Sequence, residues 1–242
     1  ETRDCAWHAW IEKVSVTPKD ILVAYLLRPL RMLFTEPMLL VISIFISFVY
    51  ALLYMLMAAL PFIYHELSGL TPVSSSLPMI SLFVGVMCGG IFTILDMFRY
   101  GKHIRNRTAS PEQRLYPMGL GAVLLPVGLF WFAFTGPAQT DSRWGSVIAL
   151  PSSMYGMIVI FECGIIYLID MNKSLANSAL AANTIMRSLV GGRFPLFTQA
   201  MVRNLGYRST WSMAPLAFTA LGLAPIPFIF YRIRPMLRAK SR

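Results

Sequence analysis

The chain has 242 residues, of which 56% are hydrophobic and 13% charged, and its mean hydropathy is +0.61. A soluble domain of this length cannot bury so much apolar surface, and the apolar residues fall in blocks long enough to cross a bilayer, about 20 residues each. The formal net charge of +10 would suit a nucleic-acid binder, but the charge lies between apolar blocks with no stacking platform or recognition helix, so no nucleic-acid partner is expected. The expected fold is all-α: a polytopic membrane protein with a six-helix transmembrane bundle in a lipid bilayer.

In chain order, residues 1–36 form a polar segment without the charged-then-apolar pattern of a signal peptide. Within it, Ile21, Leu22, Tyr25, Leu26 and Leu30 recur at helical spacing beside Arg28 and Arg31. That spacing predicts a short amphipathic helix at the inner leaflet, turning into the first span. Residues 37–231 form the transmembrane bundle, with apolar blocks at 37–64, 77–98, 116–135, 145–169, 176–202 and 211–231. Helices are the only sensible assignment, because barrel strands would be about half as long and would alternate. Residues 232–242 form a basic tail.

Alternating spans put Arg28 and Arg31, the loop residues Arg99, Lys102, Arg105, Arg107 and Arg114, and the tail on one side. The loop after the first span, "HELSGLTPVSSS", has no Lys or Arg, so the positive-inside rule puts both termini in the cytoplasm. Arg203 and Arg208 run against this rule on the outer side. Trp131, Trp144 and Trp211 near outer ends, and Tyr100, Tyr116, Tyr167 and Tyr231 near inner ends, read as interfacial belts. Cys5, Cys88 and Cys163 form no spaced cluster, so no disulfide, metal or other cofactor is expected. An intramembrane enzyme is disfavoured: His8, His65 and His103 lie outside the six blocks, and no nucleophile–base pair is visible.

Polar residues within the spans carry the functional signal. Ser43, Ser47, Tyr50 and Tyr54 share one face of the first span, which is otherwise apolar. Such a stripe faces protein or a water-filled cavity, where it either lines a substrate path or holds helices together. Gly85 and Gly89 form a G-x-x-x-G pair in the second span, expected to let another helix approach closely. In the fourth span Glu162 lies near mid-membrane, with Tyr155 two turns away on the same face. A carboxyl at that depth must be paired, neutral or facing water, and could carry a proton. In the fifth span Asn183, Arg187 and Gly191 share a face. An arginine near the centre costs about 2.5–3.5 kcal/mol to insert even on the lower scales, so something must offset it. Glu162, in the preceding antiparallel span, is the mid-span carboxylate at a similar height and is expected to interact with Arg187 across a cavity wall. Arg193 points to another face, and Pro195 beside Gly191 and Gly192 is expected to kink the helix.

The stretches "RPLRMLFTEPMLL", "SFVYALLY", "PEQRLYPMGLGAVLLPVGLFWFAFTG", "YLID" and "SALAANTIMRSLVGGRFPLF" resemble the C-terminal half of fungal major facilitator superfamily transporters. They are most similar to the twelve-span drug:proton antiporters, among them multidrug, polyamine and secondary-metabolite efflux pumps. The resemblance extends to "ETRDCAWHAWIEKV", which is similar to that family's central loop. It implies spans seven to twelve, without the N-terminal six-helix half and its loop and antiporter motifs; a degenerate loop motif remains around Asp96, Arg99 and Lys102. Glu162 stands where family members often have an uncharged polar residue, and Arg193 where they often have a small one.

The resemblance implies proton-coupled efflux of small organic compounds by alternating access across the plasma membrane. Ser47, Tyr50, Tyr54, Tyr155 and Asn183 are then expected along the substrate path, with Glu162 and Arg187 setting its electrostatics. The implied partners are a small-molecule substrate, protons and a missing six-helix half. The absence of an initial Met leads to the expectation of a fragment, and the alternative is a truncated, non-transporting half that packs with or regulates a full-length carrier.

Overall fold

The structure, a computed structural model, describes residues 27–68, 75–105, 111–135, 144–172, 175–204, 209–229 and 232. Among these the regular elements are helices: α1 (Arg28–Thr35), α2 (Pro37–Ser68), α3 (Pro78–Arg105), a 3-10 turn (Pro111–Arg114), α4 (Leu115–Thr135), α5 (Trp144–Met171), α6 (Ala176–Asn204) and α7 (Ser209–Leu223). A turn at Ala224 separates α7 from a last helical piece at 225–229. The architecture is an all-α polytopic half-bundle.

Four helices are long and apolar enough to cross a membrane: Pro37–His65, Pro78–Lys102, Leu115–Thr135 and Val147–Met171. The fifth block forms one continuous helix, α6, yet falls below that apolar threshold. The reason is its content of Asn183, Arg187, Arg193 and Gln199. In the sixth, the described apolar helix is Ala214–Ile229, shorter than a full span.

Of the expected amphipathic helix, residues 21–26 lie outside the described residues. The helix that is described, α1, buries Pro29, Met32 and Leu33 and leaves Arg28 and Arg31 exposed. It packs chiefly on α6 and ends at Glu36, whose extended backbone lets Pro37 open α2 in the first turn, where a missing N–H costs nothing.

Helix α5 is the hub, touching α2, α3, α4 and α6. Its closest approaches are made by residues without bulk. A Cβ on Gly156 would lie 2.7 Å from the Leu125 backbone N, and one on Gly128 would lie 2.5 Å from the Ser153 backbone N. These positions bring the α4 and α5 backbones together, as small residues do in membranes, where packing rather than water drives association. Gly85 and Gly89 perform the same task between α3 and α5: their Cβ positions would meet the Pro151 carbonyl at 2.6 Å and Ile158 Cγ2 at 3.2 Å.

Helix α7 lies on α4, with Phe218 edge-on to Phe130 at 4.8 Å. Helix α3 is packed on one side only. Its apolar window is 22% buried, against 56–61% for the other candidate spans, and Phe83, Met87, Ile91, Ile94 and Phe98 are exposed along it.

Candidate functional site

Three helices meet around Arg187. From α2 come Tyr50 and Tyr54, from α5 Phe161, and from α6 Arg187 itself. The Tyr50 and Phe161 rings are stacked, 5.9 Å between centroids and 19° from parallel. The Arg187 guanidinium carbon lies 5.1 Å from each of the two centroids, so one cation shares two aromatic faces. The Tyr50 and Tyr54 hydroxyls are hydrogen-bonded to each other at 3.0 Å, and their rings meet edge to face at 4.8 Å.

Local sequence explains the arrangement. Tyr50 and Tyr54 are four residues apart on a helix, so they sit one above the other. The Cδ1–Cε1 edge of the Tyr50 ring sits against α6 at Gly191, where a Cβ would come within 2.8 Å of its Cδ1. Gly191 is also the residue whose carbonyl loses its helical donor to Pro195. One turn before Arg187, Asn183 is 1% exposed, and one turn before Tyr50, Ser47 is 1% exposed. Among the described residues, Asn183 Oδ1, Ser43 Oγ, Ser47 Oγ and Arg187 Nε are buried without a hydrogen-bond partner. Buried polar atoms are ordinarily satisfied; three of these four belong to α2 and α6, the helices that frame the cation, and the fourth is the cation's own Nε.

The expected interaction of Glu162 with Arg187 is not found: among the described residues no ion pair joins them, and Glu162 is exposed. The cause is helical phase. Phe161 is the α5 residue that faces the guanidinium, and Glu162, about 100° further round the helix, is carried past it to the open side. Tyr155 is likewise not gathered with the tyrosines of α2. It turns towards α3, where its ring is tilted against Phe92 at 5.7 Å. The site residues therefore separate into a group around Arg187 (Tyr50, Tyr54, with Ser47 and Asn183 in adjoining turns) and two residues set apart, Tyr155 and Glu162.

Phe161 and the seat provided by Gly191 escape a reading of the sequence. Phe161 is one aromatic in an apolar span, and only the phase of α5 against α6 reveals its role. A second cluster lies at one end of the bundle: Arg114 of "PEQRL" is 3.6 Å from Asp170 of "YLID", Nε to Oδ2, with its guanidinium 4.0 Å above the Tyr100 ring centroid. This contact ties α3, the start of α4 and the end of α5.

A bundle of long apolar helices around a cationic and aromatic cluster defines a polytopic membrane protein. By sequence similarity the chain belongs to the major facilitator superfamily, and its match fits the C-terminal half of a fungal efflux transporter. It is 38% identical over 244 aligned positions to a citrinin biosynthesis cluster MFS transporter of Monascus ruber, covering 100% of this chain and 48% of that protein. It is 39% identical over 225 positions to an MFS-type transporter of Aspergillus oryzae, covering 93% of this chain and 43% of that one. An MFS-type efflux pump of Trichophyton rubrum is 40% identical over 220 positions, covering 90% of this chain and 36% of the pump. The chain thus spans less than half the length of these curated relatives. No protein-family model matches it.

Proposed function

We propose that the chain forms one half of a carrier that exports small organic compounds, with the substrate held against α2, α5 and α6. The observation that carries this reading is the Arg187 group: a cation on a long helix, over two aromatic rings, framed by helices whose buried polar atoms at Ser43, Ser47 and Asn183 have no hydrogen-bond partner among the described residues. The relatives named as transporters and as an efflux pump support transport, and they disfavour catalysis. Tyr50, Tyr54, Ser47 and Asn183 line the path, and Tyr155 borders it from the α3 side. Glu162, exposed and outside any ion pair among the described residues, is the proton carrier that would make export an antiport. A second six-helix half completes the carrier, and the apolar face of α3, open on one side, supports such a neighbour or lipid.

In this reading residues 1–36 are a cytoplasmic segment leading into the bundle of 37–231, the basic tail of 232–242 is cytoplasmic, and the whole lies in the plasma membrane. Flux in proteoliposomes tests it. The chain supplied with the N-terminal six-span half of the Monascus ruber relative should move an organic substrate against an imposed proton gradient, and Glu162→Gln should uncouple flux from that gradient. No flux from the paired halves removes the carrier reading. The alternative is a non-transporting half that packs with or regulates a full-length carrier. It gains support if the chain alone is inert but changes the flux of a co-reconstituted full-length relative.

A further inference from the structure

We infer that the site between α2, α5 and α6 selects flat, conjugated organic anions, with aromatic or conjugated carboxylates as the defining class. The inference deepens the carrier reading and rests on it for the use to which binding is put. Its foundation is a charge imbalance. A guanidinium cannot shed its proton and offers five N–H donors but no acceptor. Among the described residues no carboxylate lies within ion-pair distance of Arg187, and none of its nitrogens has a hydrogen-bond partner. Nε is sealed from solvent, while the terminal nitrogens reach the open side of a half-buried residue. The two rings at 5.1 Å attract the cation through their faces but accept no hydrogen bond in the plane of the fork. The fork is therefore left for an acceptor that enters from outside, and a bidentate carboxylate is the acceptor that best matches it.

The surroundings define the rest of the ligand. Tyr50 and Phe161 lie within 19° of parallel, which gives a flat apolar surface beside the fork. A planar conjugated body can lie on that surface with its carboxylate on the guanidinium. The Tyr50 hydroxyl is already engaged with Tyr54, and so the pair forms a fixed wall. An organic cation meets the opposite situation: it would face an uncompensated positive charge in a poorly screened site. Glu162, on the neighbouring α5 helix, is exposed and does not neutralise Arg187.

Three nearly isosteric probes separate the possibilities: cinnamate, neutral cinnamamide and cationic cinnamylamine. Their binding to the whole chain in lipid nanodiscs is measured by calorimetry at neutral pH. Cinnamate should bind about tenfold or more tightly than cinnamamide, the margin of one charge-assisted bidentate contact, and cinnamylamine should be weakest. Arg187→Gln should bring cinnamate down to the level of the amide and leave the amide unchanged; Arg187→Lys should keep part of the preference. Equal binding of acid and amide, survival of the preference in Arg187→Gln, or no binding of any probe overturns the inference. Should Arg187→Gln not fold, the comparison in the unaltered chain and in Arg187→Lys remains decisive. Equal binding together with flux from the paired halves would leave the carrier reading standing. Preferential cinnamate binding without flux would uphold the anion site and remove the carrier.

Discussion

Arg114 and Arg187 are set in similar aromatic company and differ in one respect. Arg114, at the inner end of the bundle, lies over Tyr100 and has Asp170 at 3.6 Å. Arg187, inside α6, lies over Tyr50 and Phe161 and has no acid within ion-pair distance among the described residues. In the first case the protein supplies the counter-charge, and the arginine ties three helices together. In the second the protein supplies the aromatic faces and withholds the anion, although Glu162 is available on the same α5 helix. Stability alone would have favoured pairing, since an uncompensated charge at that depth is costly. The contrast fits Arg114 as a tie between helices, and it is the basis on which we propose Arg187 as a binding residue.

The comparison can be broken by substitution, and the most disruptive change falls in neither arginine cluster. Gly156→Leu puts a branched side chain where a Cβ already lies 2.7 Å from the Leu125 backbone. It should prise α4 from α5 at a cost of about 3 kcal/mol or more, seen as loss of the monodisperse peak in detergent. Next comes the pair at the inner end. Arg114→Gln leaves Asp170 without its cation and should lower unfolding stability by about 1–3 kcal/mol while cinnamate affinity is kept. Arg187→Gln should do the reverse: stability within about 1 kcal/mol of the unaltered chain, because the lost ring contacts are offset by the removal of an unpaired charge, with the anion preference gone. If the two variants behave alike, the division between the arginines is wrong.

Two finer changes sharpen the account of the site. Gly191→Ala puts a methyl group 2.8 Å from Tyr50 Cδ1, so the ring must move off α6. Cinnamate binding should weaken several-fold, by about 1 kcal/mol, with near-normal thermal stability. Tyr54→Phe removes only the hydroxyl partner of Tyr50 and should cost about 0.5–1.5 kcal/mol in stability, leaving anion preference intact.

Much of the architecture was legible because the membrane imposes it. Long apolar blocks in such a chain have to be helices, and Gly85 and Gly89 announced the close approach that the structure makes to α5. The helix of the fifth block was legible as well, although Arg187 and its polar neighbours lower its hydropathy below that of a typical span. Partner choice was not legible. Spacing along one helix shows that Tyr50 follows Ser47, and that Gly191 follows Arg187, around a common face. It does not show the phase of one helix against another, and a phase difference of one residue put Phe161, not Glu162, opposite the guanidinium. The Arg114–Asp170 contact was hidden for a related reason, since its two members come from motifs far apart in the chain.

The central claim is that the Arg187 position opens onto water from within the bundle. Arg187→Cys, in a background with the other cysteines replaced by serine, can be exposed to a membrane-impermeant cationic thiosulfonate, with Ala182→Cys, at a 0% exposed position one residue before Asn183, as the sealed control. The account predicts rapid modification at position 187 and none at 182; equal protection of both positions would contradict it.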